Sequence, residues 1–338
     1  MPIRKLLSLA LGLSLCMGAL SACAGPTSTA QPQEAGQKAI TVVLDWTPNT
    51  NHTGLYVALE NGFYQDAGLD VTIVQPPEDG SIALVASGKA QFGVSIQENL
   101  GTALSADPPL PVTAVAGIIQ HNTSGIISLK SAGIDSFKSL EGKKYATWDD
   151  PFEQSMIRDS MKAQGGDFGK VELIPSTVSD AISAIQTNVD AVWVYEAWDV
   201  VAAQLAGVDY NFIKFSDSDP TFDYYTPILI AQDEFLENNR ETARRFLEAT
   251  SKGYEFAIQN PKEAAGLLLK SVPELSPDLV YASQEFLAGQ YKAEYPRWGE
   301  IDESRWKAFY DWMYQVGVIQ KELGVGGFTN EYLPAAQS

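Results

Sequence analysis

From residue 39 onward, short apolar runs and helix-like segments take turns. That alternation constrains the fold more than any other property of the 338-residue chain. Strand-like runs fall at residues 40–44, 71–74, 92–95, 112–118, 126–129, 144–147, 171–174 and 191–195. Helix-like segments lie between many of them, at 54–61, 81–87, 151–163, 179–186 and 197–205. A helix between two strands returns the chain in the same direction, so the pattern predicts an α/β protein of mainly parallel sheets with helices on both faces. From Asp233 the character turns helical. Asn238 and Glu241 fit a capping pair, and Ala243, Phe246, Leu247, Thr250, Tyr254 and Ala257 recur at helical spacing. Ser276-Pro277 fits another helix start. Trp306, Phe309, Tyr310 and Met313 make a further apolar stripe, read as core.

Two stretches read as crossings between two halves of the molecule: "GIIQHNTSGIISL" at residues 117–129 and "FDYYTPILIA" at 222–231. About a hundred residues separate them, the usual size of one lobe. The expected organisation is two lobes: residues 39–125 together with 228–338, and residues 126–227.

The first residues belong to no lobe. "MPIRK" and the apolar run at residues 6–20 form a secretory signal. The run is shorter than the roughly 20 apolar residues of a membrane span. "LSAC" then resembles a bacterial lipobox, which makes residues 1–23 a lipoprotein signal and Cys23 the lipidated residue; cleavage without lipid is the alternative. Residues 24–38, rich in Pro, Gly, Ser, Thr and Gln, read as a flexible tether. The chain has 2 cysteines, one in the signal and one for the lipid, so neither a disulfide nor a thiolate site is expected. A net charge of −19 argues against nucleic acid, whose phosphates need Lys and Arg clusters. "SDSDPTFD" at 216–223 lacks the Gly and closing Glu of a calcium loop and reads as a solvated turn; no metal site is expected. The mature protein is expected to be a monomer outside the cytoplasm, held at the membrane by its lipid.

In open parallel sheets, ligands bind just past the carboxyl ends of the strands. Asp45, Trp46, Asn49, Asn51 and His52 follow the first run. Gln97 and Asn99 follow the run at 92–95, at a helix start whose free N–H groups attract an acceptor. Trp148, Asp149 and Asp150 follow 144–147, and Glu196 and Trp198 follow 191–195. With the lobes face to face, these groups meet in one cleft of aromatics, amides and carboxylates, which suits a flat, nitrogen-rich ring. Stacking on Trp46 would contribute roughly 1–3 kcal/mol, and Glu196 would pair with an amino edge. Plainer readings stand beside these. Trp46 can cap a sheet edge, Glu196 can be an acid favoured by a helix N-terminus, and Trp148 fits either wall or core. His52 reads as a loop hydrogen-bonder without a catalytic partner, His121 as structural, Asp149-Asp150 as a helix start. Tyr224 and Tyr225 fit hinge packing or ligand wall.

"LDWTPNTNHTGLYVALENGFYQDAGLDV", "SGKAQFGVS", "DDPFE" and "DYYTPILIAQDEF" resemble the thiamine-precursor-binding proteins of ABC importers and the related fungal enzymes that make the thiamine pyrimidine. The resemblance spans most of residues 40–320. It implies a two-lobed periplasmic-binding fold of type II that captures a formylated aminopyrimidine for ABC permease subunits, without cofactor or chemical step. It also implies Glu196 as the carboxylate on the pyrimidine, although "VYEAW" departs from the expected glycine- and tryptophan-rich form. The fungal enzymes carry a lysine for pyridoxal phosphate and a histidine consumed as substrate where this chain has Ser95 and Asn99, and an iron-binding cysteine stretch where it has "DYYTP". A binder of another heterocycle such as riboflavin, a synthase-like enzyme, and a scaffold or adhesin with a vestigial cleft remain the alternatives.

Overall fold

A computed structural model of the protein describes residues 37–78 and 80–336. The signal, Cys23 and all but the end of the tether lie outside the described residues.

Among the described residues, ten strands form two five-stranded sheets. The first contains β1 (Lys38–Val43), β2 (Leu69–Val74), β3 (Phe92–Ser95), β4 (Val112–Gly117) and β10 (Ile228–Gln232), in the order β2-β1-β3-β10-β4. The second contains β5 (Ser124–Leu129), β6 (Lys144–Thr147), β7 (Glu172–Pro175), β8 (Ala191–Tyr195) and β9 (Tyr210–Lys214), in the order β7-β6-β8-β5-β9. Each order has the same logic. Four strands run one way, and the fifth runs against both its neighbours: β10 between β3 and β4, β5 between β8 and β9. The sheets are therefore mixed, because β5 and β10 are the strands on which the chain enters its new sheet after crossing over.

Both faces of the first sheet are covered. Successive side chains of β1 alternate between them: Ile40 and Val42 join a cluster with Leu55, Phe246 and Trp298, while Val43 joins another with Val85 and Ile230. The long helix Arg240–Gln259 packs along the helix Thr53–Glu60, so close that a Cβ on Gly253 would lie 2.0 Å from the Gly54 carbonyl oxygen. The helix Glu303–Gln315 belongs to neither sheet alone. Phe309 stacks on Tyr224 at 4.1 Å and Trp312 meets Phe222 at 5.0 Å, while Tyr310 presses on Gly101. Its aromatic stripe is buried as expected, but it bridges the two halves.

Two expectations change. Asn238 ends one helix, Asp233–Asn238, and the next starts at Arg240 without a side-chain cap, so the pair with Glu241 does not form. The chain at 222–231 is not all connection, since its second part is the fully paired β10. Asp150 accepts from the Phe152 and Glu153 amides and starts the helix Pro151–Ala163, as a helix-start residue should. No helix of the described residues is long and apolar enough to cross a membrane.

Candidate ligand cleft

The loop after β1 is built almost entirely from its own side chains. The Asn49 amide accepts from the Asn51 N–H at 2.9 Å and donates to the Thr47 carbonyl at 3.2 Å. His52 is fully buried; its Nδ1 accepts from the Asn49 N–H at 3.2 Å, which leaves Nε2 to donate to Asp45 Oδ1 at 2.8 Å. Tyr254 and Tyr291 hydroxyls donate to the Asn51 and Thr50 carbonyls, tying the loop to the helical region. Asn49 and His52 thus shape the loop and aim Asp45. Trp46 is left 65% exposed at its tip, so the sheet-edge reading of this indole does not hold.

Past β6, a buried Glu153 does the equivalent work. It accepts from the Tyr145 hydroxyl at 2.6 Å, the Thr147 hydroxyl at 2.7 Å and the Trp148 N–H at 3.0 Å. Burial pushes its pKa up despite these bonds. Asp149 adopts a left-handed φ of 62°, a local strain held by its amide's bond to Thr147 Oγ1. The result is Trp148, 50% exposed and 5.5 Å from Trp193.

β8 ends in a π-helical turn, Glu196–Val200, a geometry that recurs at functional sites. It carries Glu196 beside Lys214, with 2.5 Å between ammonium and carboxylate. Trp198 packs against the cluster of Tyr56, Leu268 and Val280, and so joins the second sheet to helices of the first half. Asp199 is raised to about 6, by desolvation first, against the pull of backbone N–H groups.

Tyr195, the last residue of β8, is held protonated chiefly by burial. Glu98 feels Asp150. The residues past β3 and β6 lie together at one cavity. A cavity of about 490 Å³ between the helices after β3 and β6 is lined by Glu98, Asn99, Trp148, Asp150 and Phe152 among others.

Not every expected contact turns to this space. Gln97 is buried and saturated: its amide donates to the Trp306 carbonyl and accepts from the Tyr225 N–H. Tyr225 is buried too, its hydroxyl accepting from the Asp302 N–H at 2.8 Å beneath the Arg305 guanidinium. Both serve hinge packing. Asn51 is engaged through its backbone. His121 bridges Asp223, 2.7 Å away, and Glu294, 2.9 Å away, and Asp223 also accepts from the Asn122 N–H. This ties the two crossings together, a structural role as read from sequence.

A profile of the family described as NMT1/THI5 like matches residues 49–264. The chain belongs to this family. A formylaminopyrimidine-binding protein of Halalkalibacterium halodurans is 30% identical over 316 residues, covering 89% of this chain and 92% of that one. The 4-amino-5-hydroxymethyl-2-methylpyrimidine phosphate synthase THI11 of Saccharomyces cerevisiae is 27% identical, covering 87% of each chain. NMT1/THI5-like proteins thus include both binders and enzymes. Among solved structures, the periplasmic nitrate-binding protein NrtA from Synechocystis PCC 6803 superposes with a TM-score of 0.67 over 88% of this chain and 87% of that one, at 14% identity. That likeness establishes the two-lobed, type II periplasmic-binding fold.

Proposed function

We infer that the protein is the solute-binding component of an ABC importer, and that it captures an aminopyrimidine of the formylaminopyrimidine kind between its two lobes. What supports this reading is a cavity between the helices after β3 and β6, walled by the Trp148 indole and by Glu98 and Asp150, in a chain 30% identical to a formylaminopyrimidine-binding protein. Trp46 and Trp148 offer faces for an aromatic ring, and Asn99 and the acids offer polar edges. Glu196 is the less free of these acids, because Lys214 holds it. Lobe 1 is assigned to residues 39–125 and 228–338 and lobe 2 to 126–227, closing on the ligand by differential affinity of the two states. Lipidation at Cys23 and a tether to the outer face of the membrane complete the assignment, with permease subunits as partners of a monomer.

Calorimetry with formylaminopyrimidine, hydroxymethylpyrimidine, thiamine and riboflavin tests it. A Kd between about micromolar and nanomolar for an aminopyrimidine is expected, roughly −8 to −12 kcal/mol. Trp46→Ala should weaken that binding about tenfold or more. The identity to the yeast synthase favours a second reading, a pyrimidine-forming enzyme. Against it, Ser95 is buried within β3, paired with Ile228, with no amine to hold pyridoxal phosphate. Imine absorbance on adding pyridoxal phosphate, abolished by mutating one lysine, would favour the enzyme.

A further inference from the structure

Glu98 occupies the first turn of the helix Gln97–Ser105, where a carboxylate ordinarily faces water and gains from the helix N-terminus. Here it is only 7% exposed. The Tyr224 hydroxyl reaches Oε1 at 3.5 Å, a long hydrogen bond. Oε2 is buried with no hydrogen-bond partner among the described residues. A buried polar atom without a partner costs stability and calls for an explanation. Oε2 belongs to a side chain lining the 490 Å³ cavity, where Trp148 provides an aromatic wall and Asn99 and Asp150 further polar groups.

We propose that Glu98 is the residue that reads the polar edge of the bound heterocycle, its carboxyl group turning to the ring while Trp148 covers the ring's face. The inference rests on the solute-binding reading above. The surroundings settle what chemistry Glu98 brings. Asp150 faces it from the start of the helix Pro151–Ala163, Tyr195 from the end of β8, Tyr224 from the second crossing and Tyr310 from the helix Glu303–Gln315. Among the described residues, no Lys or Arg lines the cavity. Desolvation, with Asp150 adding to it, pushes Glu98 up to about 8. At neutral pH the protonated carboxyl predominates, and it offers an O–H donor and a C=O acceptor in one plane. An amino group beside a ring nitrogen presents the matching acceptor and donor. The cavity therefore takes a neutral or cationic flat heteroaromatic and disfavours anions such as sulfonates.

The test is titration of the full mature chain with formylaminopyrimidine at pH 7 and pH 9.5, for wild type, Glu98→Ala and Glu98→Gln. Melting without ligand checks that each variant folds. Wild-type affinity is expected to fall several-fold at the higher pH. Glu98→Ala should lose about tenfold or more at pH 7. Glu98→Gln, which keeps a donor and an acceptor without ionising, should recover most of that affinity and flatten the pH profile. Glu98→Ala binding as tightly as wild type, or Glu98→Gln binding as poorly as Glu98→Ala, would overturn this inference alone. Wild type that binds no aminopyrimidine would overturn the functional reading as well.

Discussion

At the scale of single residues, a buried acid and a half-exposed histidine both contribute to how stability responds to pH. Glu98 carries a pKa of about 8 in the folded chain, against an ordinary value of 4.5. Between those values the unfolded chain has released a proton that the folded chain keeps, so stability falls as pH rises, and levels off above about 8. His121 is raised chiefly by its hydrogen bond to Asp223, with Glu294 adding and burial opposing. Its contribution is complete below its ordinary 6.5 and is lost as pH climbs through the raised value. Urea unfolding across pH should show both. Glu98→Gln should flatten the slope between about pH 5 and 8 and exceed wild type in stability at pH 9, and His121→Gln should flatten only the part above about 6.5. Wild-type stability that rises over this interval would contradict the assignment. Glu98 also shows where sequence reading stops. Its neighbours Gln97 and Asn99 stood out as amides past a strand, whereas an acid in a first helical turn looks solvated and unremarkable. Only the packing of Tyr224 and the helix Glu303–Gln315 over it removes the water. The exposure of Trp46 was readable because an indole among Asn, Thr and Pro has no amphipathic stripe to join.

At the scale of elements, the strands β3, β6 and β8 coincide with the runs read from sequence, since each is a short, largely buried segment between polar loops. β9, Tyr210–Lys214, escaped notice because it is an edge strand whose residues are all half-buried, with neither alternation nor an apolar run. β10 lies in the stretch read as a crossing; its antiparallel place between β3 and β4 depends on partners more than a hundred residues away. The helix pair that carries the Trp46 loop rests on a backbone contact no periodicity reveals. Gly253→Ala would place its methyl carbon 2.0 Å from the Gly54 carbonyl oxygen. Overpacking of this kind costs about 1–3 kcal/mol or more, and separating the helices would also drag the loop that Tyr254 holds. Denaturant unfolding of Gly253→Ala should show that loss, together with weaker ligand binding. A variant as stable as wild type would mean the two helices are free to part.

At the scale of the whole molecule, two sheets of the same topology are joined by two crossings that Asp223, His121 and Asn122 lock together. The strand–helix alternation made this class of fold legible, and the reversal of β5 and β10 did not show because it is a property of the crossing rather than of any local pattern. Trp198 and the helix Glu303–Gln315 touch both halves, so closure and ligand binding should be coupled. A ligand at about a hundred times its Kd adds roughly 2.7 kcal/mol, and melting curves with formylaminopyrimidine should move up by several degrees. Small-angle scattering should register a smaller radius of gyration in the same samples, and an unchanged radius with a clear thermal shift would place binding outside the moving cleft. The most direct measurement is a crystal structure of the mature chain grown with formylaminopyrimidine. The ring is expected between the tips of the two sheets, against Trp46 or Trp148 and within hydrogen-bond reach of Glu98. A ring seated away from all three, or a cleft that stays vacant at saturating ligand, would contradict the account.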